Sequence, residues 1–594
     1  MILQGLGFGA NIEGLSGESM LEARNICLEV ENGDGSLFLL NDVNFCIPSG
    51  HFVAIVGPSG CGKTTLLKTI AGIKAATDGS FFWEGRDLVE DGDFEPHEIG
   101  YVPQFSIAYD ELTVDESIES AARLRVKASE DELNDLIDSV LAETGLTDIA
   151  DRRVKLLSGG QKRRLALAME LVSSPKILLC DEVTSGLDPR SEREIVQLLH
   201  DLSRREGRIV ISVTHSLAQM ELYDSIMVMV RGNLAYHGSP AAMDHYFGVA
   251  SFEDVYPQLA LRQPEEWRLS WMKHRISYYQ RLEKEHLEKY RSMGLAPPRR
   301  REDEDAAEMP RPDFLTQMMQ LLTRRFTILM RDRTQLVLQI VMILVFPVLV
   351  ALFSSKGQDQ LLRLTDTRSS DIAAEIQAQQ DQAEVNARVG SAVSGIIMFE
   401  VILLGLMGSN NASREIAGER LIMEKEKFAG MGVGAYVASK VVFLALLVVI
   451  QSLWMYAFVQ FFWPLRGDAI NHLCFLMLAN AAMTSVCLGI SANSKTADQA
   501  SLLSIYLVGF QLPLSGAVLA LPDVVETFTQ PFISAYWAWS GSIEGGLNPD
   551  VLKAVKSIVQ TTFSNANLCM MVLWGHVVVG ILLTCWGSAR ARWE

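Results

Sequence analysis

Hydrophobic and polar positions divide this chain in two. Up to about residue 330 they alternate over short distances, and beyond it long apolar runs dominate. Between 20 and 245 short apolar stretches are interleaved with helical patterns. HFVAIVG (51–57), KILLCDE (176–182) and RIVISVTH (208–215) are nearly unbroken apolar runs. A strand with one wet face alternates, whereas a strand covered on both faces does not, so these runs predict the buried strands of a mostly parallel sheet. Strands of that kind alternating with helices define an α/β domain, expected over 19–250 after a loose Gly-rich lead at 1–18.

The second half carries runs that reach the ~20 residues needed to cross a bilayer. They fall near 334–354, 390–411, 437–462, 470–491, 499–520 and 567–587. Six spans predict an all-α transmembrane domain over 334–594. Between the halves, 251–312 reads as a charged linker ending in PPRRREDEDAAEMPRP (297–312). Residues 313–333 predict an amphipathic connecting helix. Leu315, Met318, Met319, Leu322, Phe326, Leu329 and Met330 share a face, and Arg324, Arg325, Arg331 and Arg333 supply basic heads. That pattern suits a helix lying on the inner membrane surface, with a core-packed helix as the alternative.

Composition adjusts this picture in three places. Of 594 residues 49% are hydrophobic and the mean hydropathy is +0.17, in keeping with membrane segments. The net charge of −19 comes with no basic stripe of the sort a nucleic-acid binder carries. The eight cysteines form no CxxC pair or Cys/His cluster, which leaves buried reduced thiols as their reading. MILQGLGFGANIEG has neither a basic n-region nor a small-residue cleavage site, so it does not read as a secretory leader and the first half is expected in the cytosol. Lys and Arg at 414–427 and at 590–592 then fall on the inner side, and 355–389 and 521–566 outside.

The candidate chemistry sits in the first half. Gly57, Pro58, Ser59, Gly60, Cys61, Gly62, Lys63 and Thr64 read GPSGCGKT, followed by Thr65. The run follows a predicted strand and opens a helix, the context in which GxxxxGK[ST] cradles phosphates on backbone N–H groups. Lys63 is placed to reach the β- and γ-phosphates and Thr64 to hold Mg²⁺. In ILLCDE (177–182) four apolar residues drive a buried strand. Asp181 emerges at its end as a second metal ligand, and Glu182 one step on as the group that polarises the attacking water.

Ser158, Gly159, Gly160 and Gln161 complete LSGGQ (157–161), and with it the chain resembles the ABC ATPase family. The resemblance implies further roles. Gln104 in YVPQ matches the glutamine that senses the metal and faces the membrane domain. Asp188 in SGLD matches the D-loop, and His215 in SVTH the switch histidine at the γ-phosphate. It implies ATP and Mg²⁺ as ligands, and that Ser158 and Gly160 of one cassette face the P-loop of another. One chain then holds half of each site, and the partner is a second copy or a related half-transporter. The family usually places an adenine-stacking aromatic ahead of the P-loop. Phe38 is the candidate here, with a core position as its alternative.

Cassette first and membrane domain second resembles the G subfamily of ABC half-transporters, with an ABC-2 type membrane domain. LAYHGSPAAMDHYF (234–247), REIAGERLIMEKEKFAGMGVGAYVASK (414–440) and FTQPFISAYWAWSGSIEGG (528–546) add to the likeness. The absence of cysteine from 521–566 and the length of 355–389 lean toward a bacterial-type member of an inner membrane. Glu400 and Gln511 are the substrate-path candidates, because ionisable or polar groups within spans face an interior or a cavity. Phe399 and Asn480 are weighed beside them, and Pro347 and Pro513 as kinks. The implied function is ATP-driven export of a hydrophobic or amphipathic cargo, lipid or drug-like. The alternative is a membrane ATPase that does signalling or mechanical work without moving cargo.

Overall fold

The computed structural model describes residues 20–32, 35–292, 311–354, 372–465, 467–518 and 521–593. The expected lead at 1–18, the end of the charged linker and residues 355–371 of the first external connection lie outside them. The chain forms two compact units. One is Met1–Pro312 with Phe428–Gly430 and Arg592–Glu594, and the other is Asp313–Lys427 with Met431–Ala591.

The first unit holds two sheets. β1 (Met20–Asn32), β2 (Gly35–Pro48), β4 (Asp78–Trp83) and β5 (Arg86–Asp87) pair antiparallel in the order β2-β1-β4-β5. The second sheet comprises β3 (Phe52–Val56), β6 (Ile99–Val102), β7 (Ile177–Asp181), β8 (Ile209–Val213), β9 (Ser225–Val230) and β10 (Asn233–Gly238). Its order is β10-β9-β3-β8-β7-β6. All its pairings are parallel except the β9–β10 hairpin. Every residue of β3, β7 and β8 is buried, which is why their sequences do not alternate.

Around the sheets lie α1 (Lys63–Ile70), α2 (Val114–Arg125), α3 (Glu130–Thr144), α4 (Gly159–Leu171), α5 (Pro189–Arg204), α6 (Pro240–Phe247) and α7 (Val255–Leu259). The reading of 251–312 as linker needs correction. α8 spans Pro264–Ser292 and buries Trp267, Trp271 and Tyr279 in the same core as β10. Its charges lie between those aromatics and dominate the composition, which hid the helical spacing of the buried ones.

The second unit is helical. It comprises α9 (Phe314–Arg331), α10 (Arg333–Ser354), α11 (Ile372–Ala412), α12 (Arg420–Phe428), α13 (Val433–Phe462), α14 (Ala469–Asn493), α15 (Ala497–Gln511), α16 (Asp523–Thr529), α17 (Ser534–Gly546), α18 (Pro549–Lys556) and α19 (Ala566–Arg590). Among the described residues five helices are long and apolar enough to cross a membrane: α10, the stretch containing α11, α13, α14 and α19. Two expectations change. The span predicted to begin at 390 is the second half of a continuous 41-residue helix that starts at Ile372. The span predicted over 499–520 is a 15-residue helix that ends at Gln511, only ~22 Å long at 1.5 Å per residue. Pro513 follows in a 3₁₀ turn, where its missing N–H cannot continue the helix. Pro347 lies inside α10.

The surface-helix reading of 313–333 also changes. Arg324 and Arg325 are buried, while Leu315, Met319 and Met330 are exposed. Arg325 makes a two-pronged pair with Glu415 at 2.6 and 2.8 Å, and Arg324 pairs with Glu426. Lys440 joins the first cluster at 3.0 Å from Glu415 and 2.6 Å from Glu419. A buried charge is tolerable only when paired. The acids that pair these arginines lie 90 and 102 positions away, beyond the reach of a helical pattern.

Candidate functional site: a phosphate cradle and a polarised carboxylate

β3 ends at Val56 and α1 begins at Lys63, so the GPSGCGKT run spans the gap. Gly62 at the N-cap has φ +103°, and a Cβ there would lie 2.9 Å from the Leu39 carbonyl oxygen. Because a glycine cap has no side chain, the first amides of α1 stay open to an anion. Lys63 is buried and donates to the carbonyls of Gly57 and Pro58 at 2.9 and 3.1 Å, which holds its ammonium across the loop. Burial pushes the Cys61 thiol up despite neighbouring Lys63, which favours its protonated form.

Two carboxylates meet this cradle. Asp181 ends β7 and accepts from Thr64 Oγ1 at 2.9 Å on one oxygen and from the Tyr101 hydroxyl at 3.2 Å on the other. Burial raises its pKa, and the Thr64 and Tyr101 hydrogen bonds oppose that rise. Two hard oxygen donors side by side suit Mg²⁺. Glu182 follows at φ +48°, in the left-handed region. A non-glycine residue there stores roughly 1–3 kcal/mol of strain, which recurs at working sites. Gln104 Nε2 donates to Glu182 Oε2 at 2.7 Å, and His215 Nε2 lies 2.8 Å from Oε1. The two side chains implied by resemblance therefore bracket the Glu182 carboxylate, one residue beyond the strand end.

A cavity of about 390 Å³ joins these groups. Ser59, Gly60, Gly62, Lys63, Thr64 and Thr65 line it, with Glu182, His215, Phe38 and Arg231. Phe38 is half-exposed and sits in this lining, not in the core. The signature residues line no part of it. Ser158 caps α4: its hydroxyl accepts from Gln161 N–H, and the Gln161 side chain accepts from Ser158 N–H. That capping box leaves Ser158 and Gly159 exposed at a helix N-terminus. Asp188 caps α5, accepting from Arg190 and Ser191 N–H at 3.1 Å each. Tyr101 and Arg231 were missed in the sequence. Tyr101 is one apolar-looking position of a short strand, and Arg231 lies in a hairpin turn outside every motif.

In the helical unit a cavity of about 1180 Å³ is lined by Ser394, Met398, Phe399 and Ile402 of α11 and by Leu512, Ala517 and Ile558. Glu400 and Gln511 are sequence neighbours of that lining but not part of it. Glu400 is fully buried, 3.2 Å from His472 Nε2. Gln511 accepts from Ser534 Oγ and Ala535 N–H at 3.2 and 3.0 Å, closing the N-terminus of α17. Asn480 belongs to a buried amide chain across four helices. Gln339 donates to Asn411 at 2.7 Å, and Asn411 and Asn480 both donate to Gln451, at 3.1 and 3.2 Å. Such hydrogen bonds fix helices that no hydrophobic effect drives together in lipid.

Comparison with known proteins agrees with this division. Residues 40–185 match the ABC transporter family model, and 316–538 match that of the ABC-2 type transporter. The chain thus carries a segment similar to the ABC transporter ATPase ahead of a segment similar to the ABC-2 type membrane domain. It is 26% identical over 97% of its length to the ABC transporter ATP-binding/permease protein Rv1747 of Mycobacterium tuberculosis, covering 64% of that protein. Over 36% of the chain it is 35% identical to ABC transporter G family member 13 of Arabidopsis thaliana, covering 33% of it. A solved dimeric ATP-binding cassette, MJ0796, bound to ADP and Pi, is 28% identical, with a TM-score of 0.34 over 37% of this chain and 98% of that one. The chain spans 56–65% of the length of the first curated relatives it matches.

Proposed function

We propose that two copies of this chain, or this chain and a related one, pair to export a lipid or drug-like amphipathic cargo at the expense of ATP. The observation that carries the reading is the split of the site. The phosphate cradle and Glu182 share one cavity, while the exposed N-terminus of α4 at Ser158 and Gly159 lies outside it, open to an anion from elsewhere. ATP bound to the P-loop of one chain supplies that anion to the signature of the other. Thr64 and Asp181 would hold Mg²⁺, which would supply charge neutralisation to the phosphates. Glu182 takes a proton from the attacking water as oxygen bonds to the γ-phosphorus and ADP leaves; Gln104 and His215 hold the carboxylate in place.

The large cavity beside α11 supports a cargo with an apolar body, since Met398, Phe399, Ile402, Leu512 and Ile558 face it. The ATPase domain and both termini lie in the cytoplasm, at a bacterial inner membrane. Proteoliposomes with outward-facing cassettes and fluorescent phospholipids in the bilayer test the reading. ATP-dependent transfer of probe to the inner leaflet, absent with ADP, is the expected result. Sustained hydrolysis with no movement of phospholipid or amphipathic dye would replace it with signalling or mechanical work.

A further inference from the structure

The nucleotide cavity has one wall that no motif accounts for. β9 and β10 are joined by two residues, Arg231 and Gly232, with Val230 and Asn233 as the closing pair. Both central residues have positive φ, +43° and +78°. A two-residue turn of that kind favours Asn-Gly or Asp-Gly, because a short polar side chain tolerates the left-handed region. An arginine there is strained, because its Cβ crowds the backbone in the left-handed region, and gains nothing for the turn.

The turn is stitched in place on two sides. Gly232 N–H donates to the Cys61 carbonyl of the phosphate loop at 2.8 Å, and its own carbonyl accepts from Asn41 N–H at 2.9 Å. Asn41 Nδ2 donates to Asn233 Oδ1 at 3.1 Å. A Cβ on Gly232 would lie 2.7 Å from the Leu39 carbonyl oxygen, so only glycine fits. Arg231 is thereby carried to the cavity that Phe38 and Lys63 also line. Its guanidinium is exposed and has no hydrogen-bond or ion-pair partner among the described residues. Strain at an unpartnered cation beside a polyphosphate cradle points to a ligand that repays it.

We infer that Arg231 is a nucleotide-binding residue, its guanidinium contacting the α-phosphate and ribose side of the nucleotide. The γ-phosphate side is already served by Lys63, Glu182 and His215, whereas the Arg231 turn is bonded to the strand that bears Phe38. Arg231 and Lys63 are the fixed cations in the cavity lining, and an arginine supplies a charge-assisted fork to phosphate oxygens. The inference rests on the cavity being the ATP site, and the test keeps the two apart.

Fluorescent ATP and ADP analogues are titrated into the detergent-purified full chain, with Arg231→Asn, Arg231→Lys and Lys63→Ala alongside. Arg231→Asn should bind both nucleotides about tenfold more weakly, the loss of one charge-assisted contact, with a flatter dependence on salt. It should unfold at the same or a higher temperature, since asparagine suits the turn. Arg231→Lys should recover part of the affinity. Unchanged affinity of Arg231→Asn for both nucleotides would reduce Arg231 to a turn residue, and weakening for ATP alone would overturn its placement away from the γ-phosphate. No binding by the unmodified chain, or none lost in Lys63→Ala, would instead remove the ATP-site reading itself.

Discussion

Replacing Glu415 with alanine removes the acid at the centre of the buried charge cluster beneath α9. In the intact protein Glu415 receives two bonds from Arg325, at 2.6 and 2.8 Å, and one from Lys440 at 3.0 Å. All three side chains are at most a tenth exposed. After the change Lys440 keeps Glu419 at 2.6 Å. Arg325 keeps other contacts, the Gln335 side-chain oxygen at 3.5 Å and the Phe443 ring at 4.7 Å among them, but loses its two-pronged carboxylate. Stranding one partner of a buried pair costs about 3–5 kcal/mol, and the retained contacts favour the lower end. At ~2–4 °C per kcal/mol for a unit of this size, the thermal transition should fall by about 6–12 °C. Detergent-solubilised protein heated stepwise and read by the surviving fluorescence size-exclusion peak measures it. Changing both partners, Arg325→Met with Glu415→Leu, should recover most of the loss, because no charge is then stranded. A transition for Glu415→Ala within a degree of the unmodified protein would refute the reasoning.

Three further outcomes follow from the cassette. Glu182→Gln should keep ATP affinity while steady-state hydrolysis falls by about 10²-fold or more, since the amide cannot accept the water's proton; hydrolysis near the original rate would reassign the base. Tyr101→Phe removes the second hydrogen bond to Asp181 and should raise the Mg²⁺ concentration for half-maximal binding of Mg²⁺-ATP several-fold, read by titration at fixed nucleotide; an unchanged midpoint would make Tyr101 a packing residue. Burial holds the His237 imidazole down at about 3, so the folded chain keeps it neutral while the unfolded chain protonates it below about 6.5. Its stabilising contribution is complete above that value and is lost as pH falls toward 3. Between pH 7.5 and 5.5 the melting temperature of the unmodified chain should therefore drop more than that of His237→Asn, and equal drops would exclude His237 as the titrating group.

The cassette was legible because its chemistry is written in contiguous residues. A strand end followed by GPSGCGKT, or four apolar residues followed by Asp-Glu, fixes both the local fold and the groups it presents. Features that depend on distant partners were not legible. Nothing near Arg324 and Arg325 announces that Glu426 and Glu415 will pair with them in a closed interior. The hydropathy of 499–520 runs on past Gln511, yet the proline at 513 ends the helix, so apolarity alone overstated the span. Glu400 and Gln511 were chosen for polarity within apolar runs. The structure instead uses them as buried partners of His472 and of the start of α17, and the cavity wall falls to Phe399 and Leu512 beside them. Phe38 could not be resolved from a strand pattern, since Leu37, Phe38 and Leu39 are all apolar; the fold brings all three to the cavity of the phosphate loop, Phe38 as their one aromatic ring.

The central claim, that each ATP site is built by two chains, is tested most directly by subunit dilution. Unmodified chain is co-expressed in varied ratio with a chain carrying both Lys63→Ala and Ser158→Arg, and ATPase activity is measured against the fraction of unmodified chain. If a site needs the P-loop of one chain and the signature of the other, every mixed pair is dead, and activity should follow the square of that fraction, about a quarter at equal mixing for a closed two-chain unit. Activity that falls in simple proportion, to about a half at equal mixing, would show that each chain works alone and would contradict the account.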